Sequence, residues 1–577
     1  MSLSRREFIQ VLGLASVAGL ALDSRRSFGS ESLESMYRVS PFGNVHFLHM
    51  TDCHAQLNPV YYREPSVNIG VGGASGRAPH LVGDALLQEF NIFPSSAAAH
   101  AFSCLNFNDA AIRYGRVGGF SHLKTLVDAL RSTRPNALLL DGGDTWQGSG
   151  TALWTRGQDM VDASLLLGVD VMTAHWEMTL GAERVQHVVN HDFKGRVDFI
   201  AQNIRTVDFE DPVFDAFTIK QMNGVPVAII GQAFPYTPIA NPKHLIPDWT
   251  FGIREYELQH TVKKTLALGA KIVVLLSHNG MDVDLQLASR VEGIDAILGG
   301  HTHDGVPKPV IVANRSGKTL VTNAGSNGKF LGVLDFDYRN GAVRDFRYRL
   351  LPVFSNAIEP DRDMEALIQR VRSPYEHILS EPLAVTESLL YRRGNFNGSF
   401  DQLILDALME EKDAEIAFSP GFRWGTSVLP HSVITMEHVL DQTATTYSHS
   451  TVRAMTGAEI KDVLEDVADN LFNADPYYQQ GGDMVRVGGM TYSLDISETI
   501  GQRVSNMRIG ETLIDATKTY KVAGWASVSE NASGEPIWDL LARWLRAKGT
   551  VSVSSVNMPS ISGIDLSSGA TSLCDDR

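Results

Sequence analysis

The segment Val45-His46-Phe47-Leu48-His49-Met50-Thr51-Asp52-Cys53-His54 joins an apolar stretch to an aspartate and a histidine two positions apart. A short apolar run bounded by polar residues predicts a buried strand, and carboxylates and imidazoles directly after such strands are typical metal ligands. In an extended segment, residues two apart project to the same side, so we expect Asp52 and His54 to point into one cleft. Cys53 should point the opposite way and pack as a small buried hydrophobe.

Short apolar strands alternate with helical stretches from this segment to about Phe354. Further strands are predicted at residues 137–140, 197–201, 225–230, 272–276 and 296–298, with helices at 120–131 and 257–268. This order predicts an α/β domain whose sheets are covered by helices. In such folds the loops that follow the strands build the functional site.

Three later motifs carry side chains of the same chemical kind. They are Asp141-Gly142-Gly143-Asp144-Thr145, Leu276-Ser277-His278-Asn279-Gly280 and Gly299-Gly300-His301-Thr302-His303. His301 and His303 have the same spacing as Asp52 and His54. A carboxylate at Asp144 could bridge two ions about 3.5–4 Å apart, as two-metal hydrolases require. Each motif alone is a weak signal, because a buried histidine is more often a hydrogen-bonded core residue.

Length and composition limit the possible architectures. A chain of 577 residues exceeds the roughly 250–300 residues that one hydrophobic core supports. We predict a catalytic domain at 41–355, a linker helix at 356–381, a second domain at 382–553 and a flexible tail at 554–577. The net charge of -16 argues against a nucleic-acid partner, and three cysteines are too few for a cysteine-built metal site. We expect a monomer.

The first residues predict export. Arg5-Arg6 precede an uncharged apolar run at 9–22, which is shorter than the about 20 residues needed to span a bilayer. We interpret 1–29 as a twin-arginine signal peptide. The alternative is an ordinary amphipathic helix, but no charge interrupts the run. We therefore expect a periplasmic protein with no membrane association after the signal is removed.

Together, the order and spacing of the motifs resemble the 5'-nucleotidase branch of the calcineurin-like metallophosphoesterases. The resemblance implies an N-terminal β-sandwich flanked by helices and a C-terminal α/β domain, in which Gly394-Asn395, Phe422-Arg423 and Tyr520-Lys521-Val522-Ala523 match. It also implies a ligand set for two divalent metal ions. One ion would take Asp52, His54, Asp144 and His303, and the other would share Asp144 and add His175, His278 and His301.

Two segments depart from that family. The family shows Gly-Asn-His-Glu where this chain has Ala174-His175-Trp176-Glu177, so that His175 replaces an asparagine ligand. Trp176 replaces the histidine that relays a proton, and an indole can only donate. Thr179 stands at the position of the aspartate that supports that histidine. Trp525-Ala526-Ser527 replaces the segment whose phenylalanine stacks on a nucleoside base.

These departures favour a good leaving group such as a thiolate, since thiols have a pKa near 8.5 and water near 15.7. The motif Thr51-Asp52-Cys53-His54-Ala55-Gln56-Leu57-Asn58-Pro59-Val60-Tyr61-Tyr62-Arg63-Glu64-Pro65 resembles one subfamily, the thiosulfohydrolases (B component) of the Sox sulfur-oxidising system. That resemblance implies hydrolysis of a cysteine S-thiosulfonate on the Sox carrier protein to sulfate by a metal-bound hydroxide. It implies manganese, Mn(II), with Zn(II) as the alternative.

Roles outside the ligand set remain open in the sequence. Arg423 matches an anion-binding arginine and would hold a sulfonate oxygen, or else form a structural ion pair between the domains. Arg486 is a second candidate for substrate binding. Trp176 would either line a tunnel for the carrier arm or fill the volume of the missing histidine. Two other functions remain possible: an exported 5'-nucleotidase or related phosphomonoesterase, and a metal-loaded protein that binds carrier arms without turnover.

Overall fold

Two six-stranded sheets lie face to face in the first part of the chain. The computed structural model describes residues 33–564, so the predicted signal peptide lies outside the described residues. The strands are β1 (Val45–Met50), β2 (Leu138–Asp141), β3 (Val171–Met172), β4 (Asp198–Phe199), β5 (Arg205–Thr206), β6 (Phe217–Met222), β7 (Val225–Gln232), β8 (Trp249–Thr250), β9 (Ile272–Ser277), β10 (Ala296–Gly299), β11 (Val310–Ala313), β12 (Lys318–Asn323), β13 (Phe330–Arg339) and β14 (Ala342–Pro352). The sheet orders are β14-β13-β1-β2-β3-β4 and β11-β12-β10-β9-β7-β6, and β5 pairs with β8.

Strand β1 shows why the predicted strands are apolar throughout. Phe47 belongs to the core between the two sheets, whereas Leu48 belongs to the core between the first sheet and its helices. Both faces of the strand are therefore buried, which favours a continuous apolar sequence over an alternating one. β1 pairs in parallel with β2 and antiparallel with β13, so it lies in the middle of its sheet. The six predicted strands are confirmed, although that at 197–201 is reduced to two residues.

Helices cover the outer faces of the two sheets. The α-helices before the linker are Leu33–Met36, Gly83–Phe90, Ala97–Phe102, Phe107–Tyr114, Phe120–Thr133, Gly150–Thr155, Gln158–Leu167, Ala182–His187, Thr237–Ala240, Glu255–Ala267 and Met281–Arg290. Shorter turns of 3-10 or π geometry lie at Gly72–Ala74, Trp176–Leu180, Val188–Asp192 and Lys243–Leu245. Within residues 33–564, none of the helices combines the length and the apolar character needed to cross a membrane. The predicted β-sandwich flanked by helices is confirmed.

The second part of the chain is also an α/β unit, as predicted. Its strands are β15 (Pro382–Thr386), β16 (Ile416–Ser419), β17 (Val433–Thr435), β18 (Ser450–Thr456), β19 (Arg486–Gly488), β20 (Thr491–Asp495), β21 (Val504–Ile509), β22 (Thr512–Leu513), β23 (Thr519–Trp525), β24 (Thr550–Val551) and β25 (Ser560–Ser562). They form sheets of order β18-β23-β16-β19, β22-β21-β20-β25 and β17-β15-β24. Its helices are Ser399–Lys412, Met436–Thr443, Gly457–Phe472 and Ile537–Lys548, with a 3-10 turn at Pro476–Tyr478.

The segment between the two units is helical at Arg362–Arg372 and Glu376–Leu379. Its first helix begins at the cap residue Asp361, whose side chain accepts from the backbone N–H of Met364 at 2.9 Å. Leu367 and Ile368 are buried in the same core as the first sheet and its helices. The linker helix is therefore packed onto the first unit.

The prediction of a flexible tail from 554 is wrong for the part that the structure describes. Asn557 Nδ2 donates to the carbonyl oxygens of Val487 and Met490 at 2.7 and 2.8 Å. Ser560–Ser562 then pairs in parallel with β20. A serine- and glycine-rich composition could not reveal this pairing, because the partner edge is formed only by the folded second unit.

Candidate metal centre

Seven buried side chains converge at the carboxyl ends of five neighbouring strands. All seven were predicted as ligands, and the structure brings them together in two groups, with Asp144 in one of them rather than in both. In each group the candidate ligand atoms lie within 4.8 Å of one another: His175, His278 and His301 in one, and Asp52, His54, Asp144 and His303 in the other. β1, β2 and β3 are parallel to one another in the first sheet, and β9 and β10 are parallel in the second, so the loops at their carboxyl ends lie at one edge of each sheet.

The predicted reason for this convergence is wrong, because the ligand loops are not extended. Asp52 and His54 have φ of 51° and 46°, and His301 and His303 have φ of 73° and 58°. These residues occupy the left-handed region, which is unfavourable for non-glycine side chains. Backbone hydrogen bonds to the loop after β2 hold the loop after β1 in this conformation. The N–H groups of Asp52 and His54 donate to the carbonyls of Gly143 and Asp144 at 2.8 and 3.0 Å. Cys53 is buried in the core, as predicted.

Asp144 occupies the position expected of a bridging ligand. Its Oδ2 lies 2.9 Å from His175 Nδ1 and 3.5 Å from His278 Nε2. The same oxygen lies 3.8 Å from His54 Nε2, so it faces members of both groups. Its Oδ1 accepts from the backbone N–H of Trp176 at 3.0 Å, which fixes the carboxylate plane. One oxygen of Asp144 is therefore directed at the space between the two groups.

Asp52 is held just as firmly on the opposite side. Thr51 Oγ1 donates to its Oδ2 at 2.6 Å, and the backbone N–H of His301 donates to the same carboxylate at 3.0 Å. Oδ1 lies 3.2 Å from His303 Nε2. The hydroxyl and the backbone N–H hold the carboxylate in place, while Oδ1 faces the imidazole.

The imidazoles carry nitrogens that the protein itself leaves without partners. His278 Nδ1 donates to the carbonyl of Gly142 at 2.7 Å, which leaves Nε2 as the nitrogen with the lone pair. His54 Nε2 and His303 Nε2 face each other at 3.0 Å. His278 Nε2 is buried without a hydrogen-bond partner and lies 3.5 Å from both Asp52 Oδ1 and Asp144 Oδ2. An unpartnered imidazole nitrogen between two fixed carboxylates, beside a pair of imidazole nitrogens that face each other, fits divalent cations well.

Burial and the neighbouring charges shift the pKa values of these groups in opposite directions. Burial by itself would raise the pKa of Asp52, but the charges of His278 and His303 outweigh it and bring that pKa below its usual range. Burial lowers the pKa of His303 to about 4, although Asp52 opposes the shift. Burial also disfavours charge on His278, yet Asp52 and Asp144 raise its pKa to about 9. Burial likewise opposes ionisation of Asp144, but the charges of His175 and His54 hold its pKa well below the usual range. Both carboxylates therefore stay ionised, which is the state in which they bind cations.

Glu177 joins two of the ligand loops, a role that the sequence analysis missed. It is fully buried, and its carboxylate accepts from the backbone N–H groups of His175 at 2.8 Å and Thr145 at 2.7 Å. A third bond comes from the backbone N–H of Asp144 at 3.2 Å. The available signal was a glutamate two positions after a ligand candidate, where a buried charge needs several donors.

Trp176 lies in an aromatic cluster between the two units. Its ring is 5.6 Å from that of His54 and 4.7 Å from that of Trp424, both edge to face, and 5.1 Å from that of Phe422. The side chain is 5% exposed and belongs to the apolar core of the second unit. It therefore fills space beside the candidate ligands as part of an apolar wall, and its role in lining a tunnel for the carrier arm stays a prediction.

Arg423 lies where the two units meet, but the predicted ion pair between the domains is not formed in the described part of the chain. Its Nε donates to Asp483 Oδ1 at 3.3 Å, but this ion pair is formed within the second unit. Nη1 is buried without a hydrogen-bond partner. The charge of Arg423 contributes to lowering the pKa of His301, after burial and the neighbouring histidines. The guanidinium therefore has a donor available for an anion.

The prediction of substrate binding by Arg486 is wrong. The side chain is 0% exposed, and its nitrogens donate to Asp401, to the carbonyl of Met484 and to Asp483 at 3.3, 3.0 and 2.9 Å. A guanidinium so paired has no nitrogen without a partner for a substrate. Arg486 instead supports Asp483, which in turn holds Arg423.

Arg393 is a further arginine near the ligands that the sequence analysis did not single out. It is 6% exposed, and its Nε is buried without a hydrogen-bond partner. Nη2 donates to the carbonyl of Thr302 at 3.4 Å, between the two histidines of that motif. Its charge also contributes to lowering the pKa of His303. The signal was present as an arginine directly before Gly394-Asn395.

Comparison with known proteins agrees with this architecture. The calcineurin-like phosphoesterase model matches residues 45–305, and the 5'-nucleotidase C-terminal domain model matches residues 385–543. The structure of the sulfate thiohydrolase SoxB from Thermus thermophilus, in complex with glycerol, is similar with a TM-score of 0.86 at 36% identity, over 92% of this chain and 98% of that one. The 5'-nucleotidase of Rattus norvegicus is 24% identical over 441 residues, which are 68% of this chain and 72% of that protein. A 5'-nucleotidase precursor, also from Thermus thermophilus, shares the fold, with a TM-score of 0.71 at 20% identity over 90% of this chain and 100% of that one.

Proposed function

The chain belongs to the calcineurin-like phosphoesterase family of 5'-nucleotidase type, and on that premise we propose that it is an exported dimetal thiosulfohydrolase. Its substrate would be a cysteine S-thiosulfonate on a sulfur-carrier protein of the Sox type. The observation that carries the proposal is Trp176. An indole stands beside the metal ligands where a proton-relaying histidine is expected, and an apolar cluster surrounds it.

The reaction is hydrolysis of the bond between the two outer sulfur atoms. Water adds an oxygen to the sulfone sulfur, and the S–S bond to that sulfur breaks. The products are sulfate, a carrier persulfide anion and two protons, so that no oxidant or reductant is consumed. A persulfide anion leaves more readily than an alkoxide, so protonation of the leaving group contributes little. This chemistry agrees with an active site that has lost its relay histidine.

The two carboxylates and five imidazoles would hold two divalent cations. When bound, such cations supply Lewis acidity, which lowers the pKa of attacking water and neutralises charge on the substrate oxygens. The donor set suits Mn(II), Zn(II) or Fe(II). We propose Mn(II) on the resemblance to the Sox thiosulfohydrolases, with Zn(II) as the alternative.

Two arginines would bind the sulfonate group. Arg423 Nη1 and Arg393 Nε are both buried and without a hydrogen-bond partner in the protein. A guanidinium N–H that donates to a sulfonate oxygen forms a charge-assisted bond, which is stronger than a neutral one. Trp176, Phe422 and Trp424 would exclude water from the carrier's cysteine, because their rings form a continuous apolar wall.

The partner and the cellular location are part of the same proposal. A carrier protein with a cysteine-bearing arm would enter the cleft between the two units, and the twin-arginine motif would direct the folded enzyme to the periplasm. Folded export agrees with the metal site, because ions could be loaded before translocation. We propose a monomer.

The decisive experiment compares two substrates on the Mn²⁺-loaded protein. Sulfate released from a carrier protein whose cysteine carries a thiosulfonate is measured beside phosphate released from a nucleoside 5'-monophosphate. We expect sulfate release with a far higher kcat/KM. Dominant phosphate release would establish the 5'-nucleotidase alternative, which the relatives named above also support. Binding of the carrier without either product would indicate a binding protein.

Trp176 provides the variant that tests the leaving-group argument. Trp176→His restores an imidazole beside the ligands and should raise kcat/KM for phosphate esters by roughly 10-fold or more, since general acids contribute about 10²–10⁴-fold. Trp176→Phe is the matched control, because it keeps an apolar ring that cannot relay a proton. An unchanged ratio of the two activities in Trp176→His would contradict the argument.

A further inference from the structure

A loop of the second unit reaches into the metal centre of the first. Gln479-Gln480-Gly481-Gly482-Asp483 lies between the 3-10 turn at Pro476–Tyr478 and β19. The backbone carbonyl of Gln480 lies 3.0 Å from His301 Nε2. A carbonyl oxygen can only accept, so Nε2 carries the proton in this contact.

This contact selects one form of the His301 ring. A neutral imidazole with its proton on Nε2 has its lone pair on Nδ1. Phe234 stacks on the ring with centroids 4.1 Å apart, which fixes its orientation. The second unit therefore determines which nitrogen His301 offers to a cation.

Gly481 allows the loop to approach this closely. Its φ is 73°, and a Cβ on it would lie 2.8 Å from His301 Cδ2 and closer still to Nε2. Any larger residue would have to displace either the loop or the imidazole. Gly482 has a similar φ of 81°, but a Cβ there would meet only the carbonyl of Gly421, at 3.6 Å. Both glycines have the positive φ that favours glycine, but only Gly481 borders the metal centre.

Both ends of the loop are bonded within the second unit, and the turn before it also contacts the first unit, where Gln286 Nε2 donates to Asp475 Oδ1 at 2.6 Å. The backbone N–H of Asp483 donates to the carbonyl of Gly421 at 2.8 Å, and its side chain is paired with Arg423 and Arg486. At the other end, Gln479 Nε2 donates to the carbonyl of Asn473 at 2.8 Å. The carbonyl of Gln480 is therefore delivered to His301 by the folded second unit.

We propose that this backbone carbonyl is a positioning group for the metal centre, so that the ion held by His175, His278 and His301 binds at full affinity only when the second unit is docked. Hydrogen bonds to the far nitrogen of a ligand histidine set its tautomer and orientation, and their loss typically weakens metal binding about 10- to 100-fold. The other group, with Asp52, His54 and His303, has no such contact with this loop among the described residues. The proposal rests on the dimetal site of the proposed function.

The test titrates Mn²⁺ into chelator-treated protein and follows free Mn²⁺ by electron paramagnetic resonance. Wild type should bind two ions, which checks the dimetal site independently of the loop. Gly481→Ala should keep one site at wild-type affinity and weaken the other roughly 10- to 100-fold. Gly482→Ala is the matched control for backbone strain and should bind both ions normally. Gln480→Ala should also bind both, since only its backbone is used.

The outcomes separate the proposal from a merely structural effect. The proposal would be overturned if Gly481→Ala bound two ions at wild-type affinity or bound both ions equally weakly. It would also be overturned if Gly482→Ala lost affinity at one site to the same extent as Gly481→Ala. Thermal unfolding of the metal-free variants shows whether Gly481→Ala has destabilised the fold, because a positioning role leaves the metal-free melting temperatures of Gly481→Ala and Gly482→Ala alike.

Discussion

At the scale of single residues, the backbone at the metal centre is strained. Asp52, His54, Asp144, His301 and His303 all have positive φ. Each such residue costs of order 1–3 kcal/mol and persists only where the surroundings enforce it. Glu177 and Thr51 supply part of that enforcement through bonds to the ligand loops. The ligands are held in place before a cation binds, at the expense of stability in this region.

Asp144 provides the sharpest residue-scale prediction. Asp144→Asn should abolish sulfate release and weaken the binding of both metal ions, because a neutral amide is a poor bridge between two dications. Metal analysis of the purified variant measures this directly. Asp159→Asn is the control, since Asp159 is equally buried but its Oδ1 accepts from Thr155 outside the cluster. Two ions retained at full affinity in Asp144→Asn would contradict the bridging role.

Arg423 belongs to the same scale but acts on the substrate. Charge-assisted hydrogen bonds contribute about 1.5–3 kcal/mol, and about 1.4 kcal/mol corresponds to a tenfold change in rate. Arg423→Ala should therefore reduce kcat/KM roughly 10- to 150-fold. Metal content should be unchanged, because arginine is not a ligand. Arg423→Lys keeps the positive charge but lacks the planar guanidinium with its several N–H donors, and it should retain part of the activity. Normal activity with a lower melting temperature would instead make Arg423 structural.

At the scale of elements, the last strand shows how one side chain can secure a segment. Asn557 uses both protons of Nδ2 on the carbonyls of Val487 and Met490, just before β25 joins β20. Its backbone N–H also donates to Gln402 Oε1 at 2.9 Å. The strand therefore closes the edge of a sheet that contributes none of the candidate ligands, and its contribution should be to stability alone.

Asn557→Ala tests that contribution. Removing two donors uncovers two carbonyl oxygens and should lower the free energy of unfolding by about 1–3 kcal/mol, measured by denaturant titration. Ser560→Ala is a suitable control, because Ser560 is exposed and lies in the same strand. Metal content and activity should match wild type in both variants. An unchanged unfolding free energy in Asn557→Ala would mean that the strand is held by backbone pairing alone.

At the scale of the whole molecule, the two units meet through buried charges. Lys329 and Glu64 pair at 2.7 Å in the first unit, while Arg423 and Asp483 pair at 3.3 Å in the second. Arg393 adds a charge between them that lowers the pKa values of His303 and Asp483 as a secondary contribution. Arg393 Nη2 also donates across the interface to the carbonyl of Thr302 at 3.4 Å. Buried charges are costly unless they are paired, so this contact favours one relative placement of the units.

Metal removal is the prediction for the whole molecule. A ligand that binds only the folded state stabilises it by about 2.7 kcal/mol at 100 times its dissociation constant, so chelation should lower the melting temperature and Mn²⁺ should restore it. The effect should be absent in Asp144→Asn. A melting temperature insensitive to chelation in wild type would show that the cluster binds no stabilising cation.

The sequence by itself determined the strands and the fold class, because apolar runs are local features. The motifs after the strands, together with the family resemblance that added His175, indicated the seven ligand candidates. The sequence also indicated that Arg423 and the ligands come from different units. Only the tertiary structure decided that Arg486 is fully paired, that Asn557 secures the last strand and that Glu177 joins two loops. It also replaced the extended ligand segments with left-handed ones, and it brought Gln480 to His301. Each of these depends on which partner lies across the fold, and hydrogen bonds between residues far apart in the chain leave no periodic trace in the sequence.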